Sequence, residues 1–426
     1  MTPVRIGIAG LGTVGGGLLE MIAAGGPLAG ALSVAGICAR DRSRKRAVDI
    51  SAVPWFDDPV ALATAPDVDV FVELMGGADG PAKAAVEAAL RSGKAVVSAN
   101  KALLAEHGEA LAHLARESGA QLRWEAAVAG GIPAVKVLRE GLAANRVQAV
   151  AGVLNGTCNY ILTEMDRTGR AFGDVLADAQ RLGYAEADPT LDVSGADAGH
   201  KLALLAAVAF TGTPDFAAVA LEGIEAVEPV DLETARFLGY RVKLVARAVR
   251  TGAGITQSVR PTLLPAEHPI ARIDGPLNAV VIDAEPVGRL VLTGRGAGAG
   301  PTASAVAADL MDLAFGDVRP VFAGPADLMA DPAAAGAVAA APSKFYVRLR
   351  VADRPGVIAA ITELVARHGI SIESFLQRPP EPGATSVPII FTTQPCPEAE
   401  LRAAIAELAG TDVVTGTALV MPVEGG

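Results

Sequence analysis

The first 130 residues alternate regularly between short apolar runs and amphipathic helical segments. Val4–Ala9 has the pattern of a strand, residues 12–24 have that of a helix, and further strand and helix patterns follow. A strand pattern over residues 121–128 closes this part of the chain. Strands that alternate with helices of about 10–15 residues predict βαβ units around a parallel sheet. This alternation restricts the N-terminal part of the chain to an α/β fold.

A glycine pattern lies between the first strand and the first helix. Gly10, Gly12 and Gly15 form G-x-G-x-x-G, and Thr13 and Val14 complete the turn. Glycines at these positions let the backbone approach a pyrophosphate, which rests at the positive end of the helix. A tight turn without a ligand is the alternative. The position between a strand and a helix favours a Rossmann-type dinucleotide-binding domain.

The residues after the second strand bear on which dinucleotide binds. An acidic residue at the end of that strand would hold the ribose hydroxyls of NAD. Arg40 and then Asp41 stand there instead, followed by further arginines. A basic cluster suits a 2′-phosphate, so the sequence favours NADP. Asp41 keeps NAD open, and a basic loop that is only solvated is a third interpretation.

Composition and charge exclude several classes of function. The net charge of -11 disfavours nucleic acid as a partner. The apolar stretch at residues 202–210 is about half the ~20 residues needed to span a bilayer, and Met1 leads into a strand pattern without a signal peptide. Three widely spaced cysteines, Cys38, Cys158 and Cys396, argue against a disulfide framework. We therefore expect a cytoplasmic protein without a membrane span.

Two further units follow the first. Residues 131–299 mix helix and strand patterns, which predicts an α+β domain, and a glycine-rich turn at residues 294–300 leads into another helix. Residues 331–342 are rich in alanine, glycine and proline and are predicted to be a linker. Residues 343–424 alternate in the order βαββαβ, with the last strand at residues 413–420. This order predicts a ferredoxin-like domain.

A lysine and an aspartate stand one helical turn apart in the second unit. Ser194 with Asp197 three residues later predicts a capping box, and Lys201 lies at i+4 from Asp197 on the same helix face. A cap with a surface ion pair is one interpretation. However, Lys201 shares its face with Leu204 and Leu205, so it points towards the apolar side. A lysine there, beside a carboxylate, is a candidate proton donor and acceptor.

Other polar residues are candidates with plainer alternatives. Glu186 stands in an acidic segment at residues 183–189, which either binds a ligand or is only a solvated loop. Lys101 follows a strand of the parallel sheet, at the edge where ligands of such folds bind, or it is only a neighbour of a helix N-terminus. Cys158 is either a nucleophile or a small buried residue. No histidine or cysteine spacing predicts a metal site.

Together these residues resemble the homoserine dehydrogenases. The matching segments occur in the right order over residues 1 to about 325, and the segment from 183 to 201 is highly specific. They are residues 7–15, 99–103, 125–133, 155–162, 183–201 and 301–306. The last 80 residues resemble an ACT regulatory domain, with residues 353–357 at its first turn between strand and helix.

The resemblance implies a reaction, the reversible oxidation of L-homoserine to L-aspartate 4-semialdehyde with NAD(P). It implies that Lys201 is the general acid/base at the reacting oxygen and that Lys101 assists beside the nicotinamide. Asp197 is implied to hold Lys201 and contact the substrate hydroxyl. Glu186 and Asp192 are implied to bind the substrate, Glu186 at its amino group. The cationic end of an amino acid needs a carboxylate, and the oxygen needs a group that exchanges a proton.

The resemblance also implies sites that side-chain patterns do not reveal. Members of this family hold a monovalent cation, usually sodium, near the domain junction. The matching positions, of which the last three ligate through backbone carbonyls, are Glu125, Val128, Gly130 and Ile132. Gly298, in the glycine-rich turn, matches a position that contacts the cofactor.

The domain layout implied by the resemblance is discontinuous. Residues 1–130 with about 300–325 form the NAD(P)-binding domain, and residues 131–299 form the substrate-binding domain. The family assembles into homodimers or homotetramers through this second domain. Threonine is the implied effector of the ACT domain. However, the strand ending at Thr393 lacks the histidine that often follows the second threonine.

Two other classes of function remain open from the sequence. A semialdehyde-type dehydrogenase, which oxidises an aldehyde, would use Cys158 as a covalent nucleophile. A non-enzymatic amino-acid sensor would bind a ligand in its ACT domain and use the Rossmann domain only to sense the cofactor.

Overall fold

The computed structural model describes residues 2–28, 30–251, 254–322, 342–377 and 386–424. The first unit is a six-stranded parallel sheet flanked by helices, which confirms the predicted Rossmann-type fold. Its elements are β1 (Val4–Ala9), α1 (Thr13–Ala23), β2 (Leu32–Cys38), β3 (Trp55–Phe56), α2 (Pro59–Thr64), β4 (Val70–Glu73), α3 (Pro81–Arg91), β5 (Ala95–Ser98), α4 (Lys101–Ser118) and β6 (Leu122–Arg123).

The strand order of this sheet is β3-β2-β1-β4-β5-β6, so the order reverses between β1 and β4. Strands of a parallel sheet with helices on both faces are fully buried, which explains their continuous apolar runs. Ile6 of β1 and Phe71 of β4, for example, are completely buried. A crevice forms outside the carboxyl ends of the strands where the order reverses, and ligands of open α/β sheets bind there.

The last strand of this sheet is shorter than the sequence predicts. The apolar pattern covers residues 121–128, but β6 ends at Arg123 and a short 3-10 turn occupies Glu125–Ala127. The backbone N–H of Glu125 donates to Asp309 Oδ2 at 2.8 Å, and both residues are buried. This contact takes the chain out of the sheet and towards the second unit.

The second unit mixes helices with a long antiparallel sheet, as predicted. Its elements are α5 (Ala134–Lys136), β7 (Arg146–Val153), α6 (Gly156–Thr168), α7 (Phe172–Arg181), α8 (Thr190–Val193), α9 (Ala196–Ala206), β8 (Val219–Leu221), α10 (Pro229–Phe237), β9 (Tyr240–Thr251), β10 (Gly254–Pro265), β11 (Leu277–Glu285), β12 (Gly288–Arg295) and α11 (Ala299–Ala314). Helix α11 returns to the first unit and packs against α1. The exact domain boundaries stay predictions.

The third unit has the predicted order βαββαβ, which confirms the ferredoxin-like arrangement. Its elements are β13 (Lys344–Ala352), α12 (Val357–Arg367), β14 (Ile372–Gln377), β15 (Ser386–Thr393), α13 (Glu398–Ala409) and β16 (Leu419–Val423). The last strand lies later than the predicted residues 413–420. Val414 forms only an isolated bridge to Val351, whereas Leu419 and Met421 are buried and their strand pairs with β13 along its length.

The sheets of the second and third units are joined into one. The strand order is β12-β11-β7-β9-β10-β16-β13-β15-β14, so β16 connects the sheet of the second unit to the sheet of the third unit. A buried charge cluster strengthens the junction, because the Arg348 guanidinium of β13 donates to Asp231 of α10 at 2.8 Å and pairs with Glu228 at 2.8 Å. The Tyr346 hydroxyl also donates to Asp231 at 2.8 Å. Removing one partner from such a buried pair would leave the other charge unpaired, at a cost of about 3–5 kcal/mol.

The predicted linker at residues 331–342 lies outside the described residues, apart from Pro342. Among the helices that are described, none combines the length and the apolar composition that crossing a bilayer requires.

Candidate active site

The glycine turn after β1 has a geometry that only glycine allows. Gly10 has φ +98°, and a Cβ at this position would lie 2.3 Å from the carbonyl oxygen of Leu74. A Cβ at Gly15 would lie 2.0 Å from the carbonyl oxygen of Gly10. In contrast, a Cβ at Gly12 would meet nothing within 4 Å, and Thr13 is exposed. The start of α1 is therefore open to a ligand such as a pyrophosphate, which fits the residues present.

In the loop after β2, the carboxylate of Asp41 is bonded within the loop, whereas the side chain of Arg40 is exposed. Asp41 Oδ1 accepts hydrogen bonds from the Ser43 backbone N–H at 2.8 Å and from the Ser43 hydroxyl at 2.6 Å. These bonds lower the pKa of Asp41 and occupy its carboxylate. Arg40 is exposed, and its side chain has no hydrogen-bond partner within the described part of the chain. Arg42 and Arg46 lie over the ring of Trp55, at 5.6 and 5.4 Å from its centroid.

Two lysines from different units converge on one carboxylate. Lys201 Nζ of α9 donates to Asp197 Oδ2 at 2.7 Å and to the carbonyl oxygen of Leu154 at 2.7 Å. Lys101 Nζ, at the start of α4, lies 3.0 Å from Asp197 Oδ1. The side chain of Lys201 is 11% exposed, and that of Lys101 is 38% exposed. The structure thus brings together three residues that are separated by up to 100 positions in the sequence.

The charges of this cluster support one another. Burial alone would raise the pKa of Asp197, but the charges of Lys201 and Lys101 outweigh it and hold that pKa well below its usual range. In return, Asp197 raises the pKa of Lys101. Asp197 therefore stays ionised and Lys101 stays a cation.

The predicted capping box at Ser194 is wrong. Helix α9 begins at Ala196, and its N-cap is Gly195, which has φ +85° and no side chain to bond the helix end. The hydroxyl of Ser194 accepts a long hydrogen bond of 3.4 Å from the backbone N–H of Ala196. Asp197 cannot complete a capping box because the two lysines and Asn155 occupy its carboxylate.

The predicted substrate residues lie before α9, with Asp192 in α8 and Glu186 on the loop that precedes it. Asp192 Oδ1 accepts a hydrogen bond of 2.7 Å from Asn155 Nδ2, and burial raises the pKa of Asp192. Glu186 is exposed, and its carboxylate has no partner among the described residues. It contributes to the raised pKa of Lys101, so it lies within electrostatic range of the lysine.

Sequence reasoning missed two residues that organise the site. Glu73, at the end of β4, is buried and accepts hydrogen bonds from the backbone N–H groups of Met75 and Gly76 at 2.7 and 3.1 Å. These bonds order the loop at the crevice. Asn155 was seen only as part of a matching segment, although its position before a helical pattern marks it as an N-cap.

The environment of Cys158 opposes a nucleophilic role. Cys158 is completely buried, and its thiol donates to the carbonyl oxygen of Asp192 at 3.1 Å. Burial raises the pKa of this thiol well above its usual range. A nucleophilic cysteine must form a thiolate. This geometry therefore gives no support to a semialdehyde-type dehydrogenase that uses Cys158 as its nucleophile.

The positions matched to a cation lie in a tight turn between the first two units. Glu125 is 2% exposed, and its carboxylate accepts hydrogen bonds from the backbone N–H groups of Val135 and Lys136 at 3.0 and 2.8 Å. Ala129 and Gly130 follow one another at φ +55° and +51°.

This turn provides oxygens of the kind that a monovalent cation binds. The carbonyl oxygens of Val128 and Gly130 accept no hydrogen bond from the described residues, while that of Ile132 accepts one from Ala134 at 2.7 Å. Carboxylate and carbonyl oxygens suit a hard cation, so the donor set fits.

Gly298 lies where the chain re-enters the first unit. It is the N-cap of α11 with φ +115°, a conformation that favours glycine. The helix it opens is packed so closely on α1 that a Cβ at Gly17 would lie 2.8 Å from the carbonyl oxygen of Ala299. The turn at Gly298 therefore belongs to the same surface as the glycine turn after β1.

Comparisons with known proteins agree on one family. Residues 133–311 match the family model "Homoserine dehydrogenase", residues 10–125 match "Homoserine dehydrogenase, NAD binding domain", and residues 345–410 match "ACT domain". The homoserine dehydrogenase of Neisseria gonorrhoeae is 43% identical over 432 residues, which cover 97% of each chain.

Solved structures show the same relationship. The crystal structure of a homoserine dehydrogenase from Thiobacillus denitrificans is similar with a TM-score of 0.90 at 40% identity, covering 99% of this chain and 98% of that one. A hyperthermophilic archaeal homoserine dehydrogenase in complex with NADPH has a TM-score of 0.65 at 28% identity and covers 75% of this chain. This chain belongs to the homoserine dehydrogenase family, and its reaction is the NAD(P)-dependent oxidation of the CH–OH group of L-homoserine to L-aspartate 4-semialdehyde.

Proposed function

We propose that Lys201 is the general acid/base of this reaction. The observation that carries the proposal is its placement: the ammonium group is almost buried, and Asp197 and the carbonyl oxygen of Leu154 hold it at 2.7 Å each. A lysine that is fixed in this way can exchange a proton with the substrate hydroxyl in a constant geometry. Lysine suits the role better than arginine because it can give up its proton.

The remaining site residues orient the substrate in this proposal. Glu186 and Asp192 attract the ammonium group of homoserine, Glu186 with a carboxylate that is otherwise unpaired. Lys101, held as a cation by Asp197, stabilises negative charge at the reacting oxygen. A bound nicotinamide cofactor would supply the hydride acceptor of the oxidation. Lys201 accepts the hydroxyl proton as a neutral amine during oxidation, and as an ammonium it returns the proton in the reverse direction.

Replacement of Lys201 tests the acid/base role. Lys201→Ala is expected to lower kcat for homoserine oxidation by about 10² or more, since general acid–base catalysis contributes on that scale. Lys201→Arg keeps the charge but cannot release a proton, so its kcat should also fall. Steady-state kinetics measure both variants, with Lys83→Ala on the surface of α3 as the control. A kcat for Lys201→Ala equal to that of the unaltered enzyme would contradict the assignment.

We propose NADP as the preferred cofactor. Arg40 is exposed and its side chain has no partner among the described residues, while the carboxylate of Asp41, which would bind ribose hydroxyls, is occupied by Ser43. The archaeal homoserine dehydrogenase solved in complex with NADPH shows that one similar protein binds the phosphorylated dinucleotide.

Replacement of Arg40 tests this preference. Arg40→Ala is expected to raise KM for NADP by about 10-fold or more, because a charge-assisted hydrogen bond contributes about 1.5–3 kcal/mol. KM for NAD should stay the same. Initial rates with each cofactor measure the difference, and Arg91→Ala on α3 is the matched control. Equal shifts for NAD and NADP would refute the proposed contact with the 2′-phosphate.

We propose a monovalent cation, sodium, at Glu125 and the carbonyl oxygens of Val128, Gly130 and Ile132. There it would neutralise a buried carboxylate and brace the turn between two units. Sodium is expected to raise the thermal unfolding temperature of the unaltered enzyme, because it binds only the folded state. Glu125→Gln should lose this shift. An equal shift in both proteins, at constant ionic strength set with a large organic cation, would oppose the site.

We propose that the ACT domain binds a small amino acid as effector, with threonine as the first candidate. A cleft of about 450 Å³ lies at the turn between β13 and α12, where Asp353, Arg354 and Gly356 line it. Added L-threonine is expected to lower the rate of homoserine oxidation and to bind in calorimetry. Flat inhibition curves together with no binding heat would remove threonine from consideration.

We also propose an oligomeric assembly and a cytoplasmic location for this protein. A homodimer or homotetramer formed through the second unit is the assembly we propose, and light scattering against the 43.1 kDa mass of one chain measures it. The cysteines Cys38, Cys158 and Cys396 are free and buried, which suits the reducing cytoplasm. Cell fractionation tests that location.

A further inference from the structure

The first turn of α6 forms hydrogen bonds to residues 184–192, the segment that carries the proposed substrate-binding carboxylates. The Thr157 hydroxyl donates to the carbonyl oxygen of Tyr184 at 2.7 Å, and the Cys158 thiol donates to that of Asp192 at 3.1 Å. The N-cap of this helix, Asn155, contacts the same loop through its side chain. The start of α6 thus fixes the position of residues 184–192 through these hydrogen bonds.

Asn155 connects the loop to the catalytic cluster. Its Nδ2 donates to Asp192 Oδ1 at 2.7 Å and to Asp197 Oδ2 at 2.8 Å, and its Oδ1 accepts from the backbone N–H of Cys158 at 2.8 Å. Asn155 is 4% exposed, so these bonds are shielded from water. A primary amide has two N–H donors, and here each donor has a different carboxylate as its partner.

The amide of Asn155 separates two carboxylates of like charge. Two carboxylates that approach one nitrogen within 2.8 Å repel each other, and the repulsion is strong away from water. Asp197 is compensated by Lys101 and Lys201, whereas the Asp192 carboxylate has no ion pair within the described part of the chain. The amide of Asn155 bonds both carboxylates, so it holds Asp192 beside Asp197 without adding charge.

We propose that Asn155 is a positioning residue for homoserine oxidation. Its amide sets the separation between Asp192, which faces the ammonium end of the substrate, and Asp197, which holds Lys201 at the hydroxyl end. The ammonium end of homoserine would then lie at Asp192 while its hydroxyl end lies at Lys201. The inference rests on the roles proposed above for Asp192, Asp197 and Lys201.

A purely structural role for Asn155, as a helix cap, makes different predictions. Asparagine, aspartate and serine are about equally good N-caps, since each offers an oxygen to the backbone N–H at N2 or N3. Asn155→Ser and Asn155→Asp both keep this oxygen and both lose the amide N–H donors. A cap role therefore predicts two normal enzymes, whereas a positioning role predicts two impaired ones.

The kinetic test compares these two variants. Asn155→Ser is expected to lower kcat/KM for homoserine by about 10- to 100-fold, the effect of losing one to two hydrogen bonds to charged groups. Asn155→Asp should be lower still, because it places a third carboxylate against the other two. KM for the nicotinamide cofactor should not change in either variant. Asn145→Ser, which removes an amide at a loop contact to Val287, is the matched control and should behave as the unaltered enzyme.

The pH profile gives a second readout. Hydrogen bonds from Asn155 lower the pKa values of Asp192 and Asp197, so losing them raises both. Because the carboxylates act when ionised, the acid limb of kcat/KM in Asn155→Ser should move to higher pH. The titratable groups that surround the two carboxylates are Lys101 on α4, Cys158 on α6, His200 and Lys201 on α9, and Glu186 and Glu225 on loops. They are unchanged in the variant, so they do not cause the displacement.

A double-mutant cycle with Asp192→Asn completes the test. If Asn155 acts through Asp192, the loss caused by Asn155→Ser shrinks in the Asp192→Asn background. Thermal unfolding and cofactor binding verify that each protein is folded. Normal kcat/KM and an unmoved acid limb in both Asn155 variants would overturn the inference. If Asp192→Asn or Lys201→Ala is itself fully active, the proposed roles fail instead, which separates the two outcomes.

Discussion

The active site depends on the carboxylate of Asp197, which joins two structural units. One of its oxygens pairs with Lys101 at the start of α4 in the nucleotide-binding unit, and the other binds Lys201 in α9 of the second unit. Three charges that are withdrawn from water are unfavourable unless hydrogen bonds complete their coordination. The carbonyl oxygen of Leu154 and the amide of Asn155 provide them. Lys201, the proposed general acid/base, is therefore held by the same carboxylate that pairs with Lys101 of the nucleotide-binding unit.

The docking of the ACT domain follows a similar principle. Arg348 is 3% exposed and is satisfied by Asp231, by Glu228 and by the carbonyl oxygen of Ala226. The loop that carries Ala226 also contacts α8, because the backbone N–H of Ile224 donates to the carbonyl oxygen of Val193 at 2.9 Å. The third unit is thus connected, through hydrogen bonds to the loop at residues 224–226, to the helix that carries Asp192.

Sequence patterns predicted the elements well where local periodicity and burial agree. Strand β1 lies at the predicted Val4–Ala9, and helix α1 at Thr13–Ala23 lies within the predicted residues 12–24. Errors occurred where a tertiary contact overrides the local pattern. The strand predicted at residues 121–128 stops early because Asp309, far along the chain, captures the backbone of Glu125. The capping box at Ser194 fails because Lys101 and Lys201 take the carboxylate that would complete it.

The amino-acid sequence by itself determined the glycine turn, the i, i+4 spacing of Asp197 and Lys201, and the order of the three units. Each of these depends on neighbours a few residues apart, so backbone geometry and helical periodicity are sufficient to predict them. Only the tertiary structure decided that Lys101 shares the carboxylate of Asp197 and that Asn155 bridges Asp192 to it. These contacts join residues that the chain separates by tens of positions, and the packing of buried charges, which no local pattern encodes, selects them.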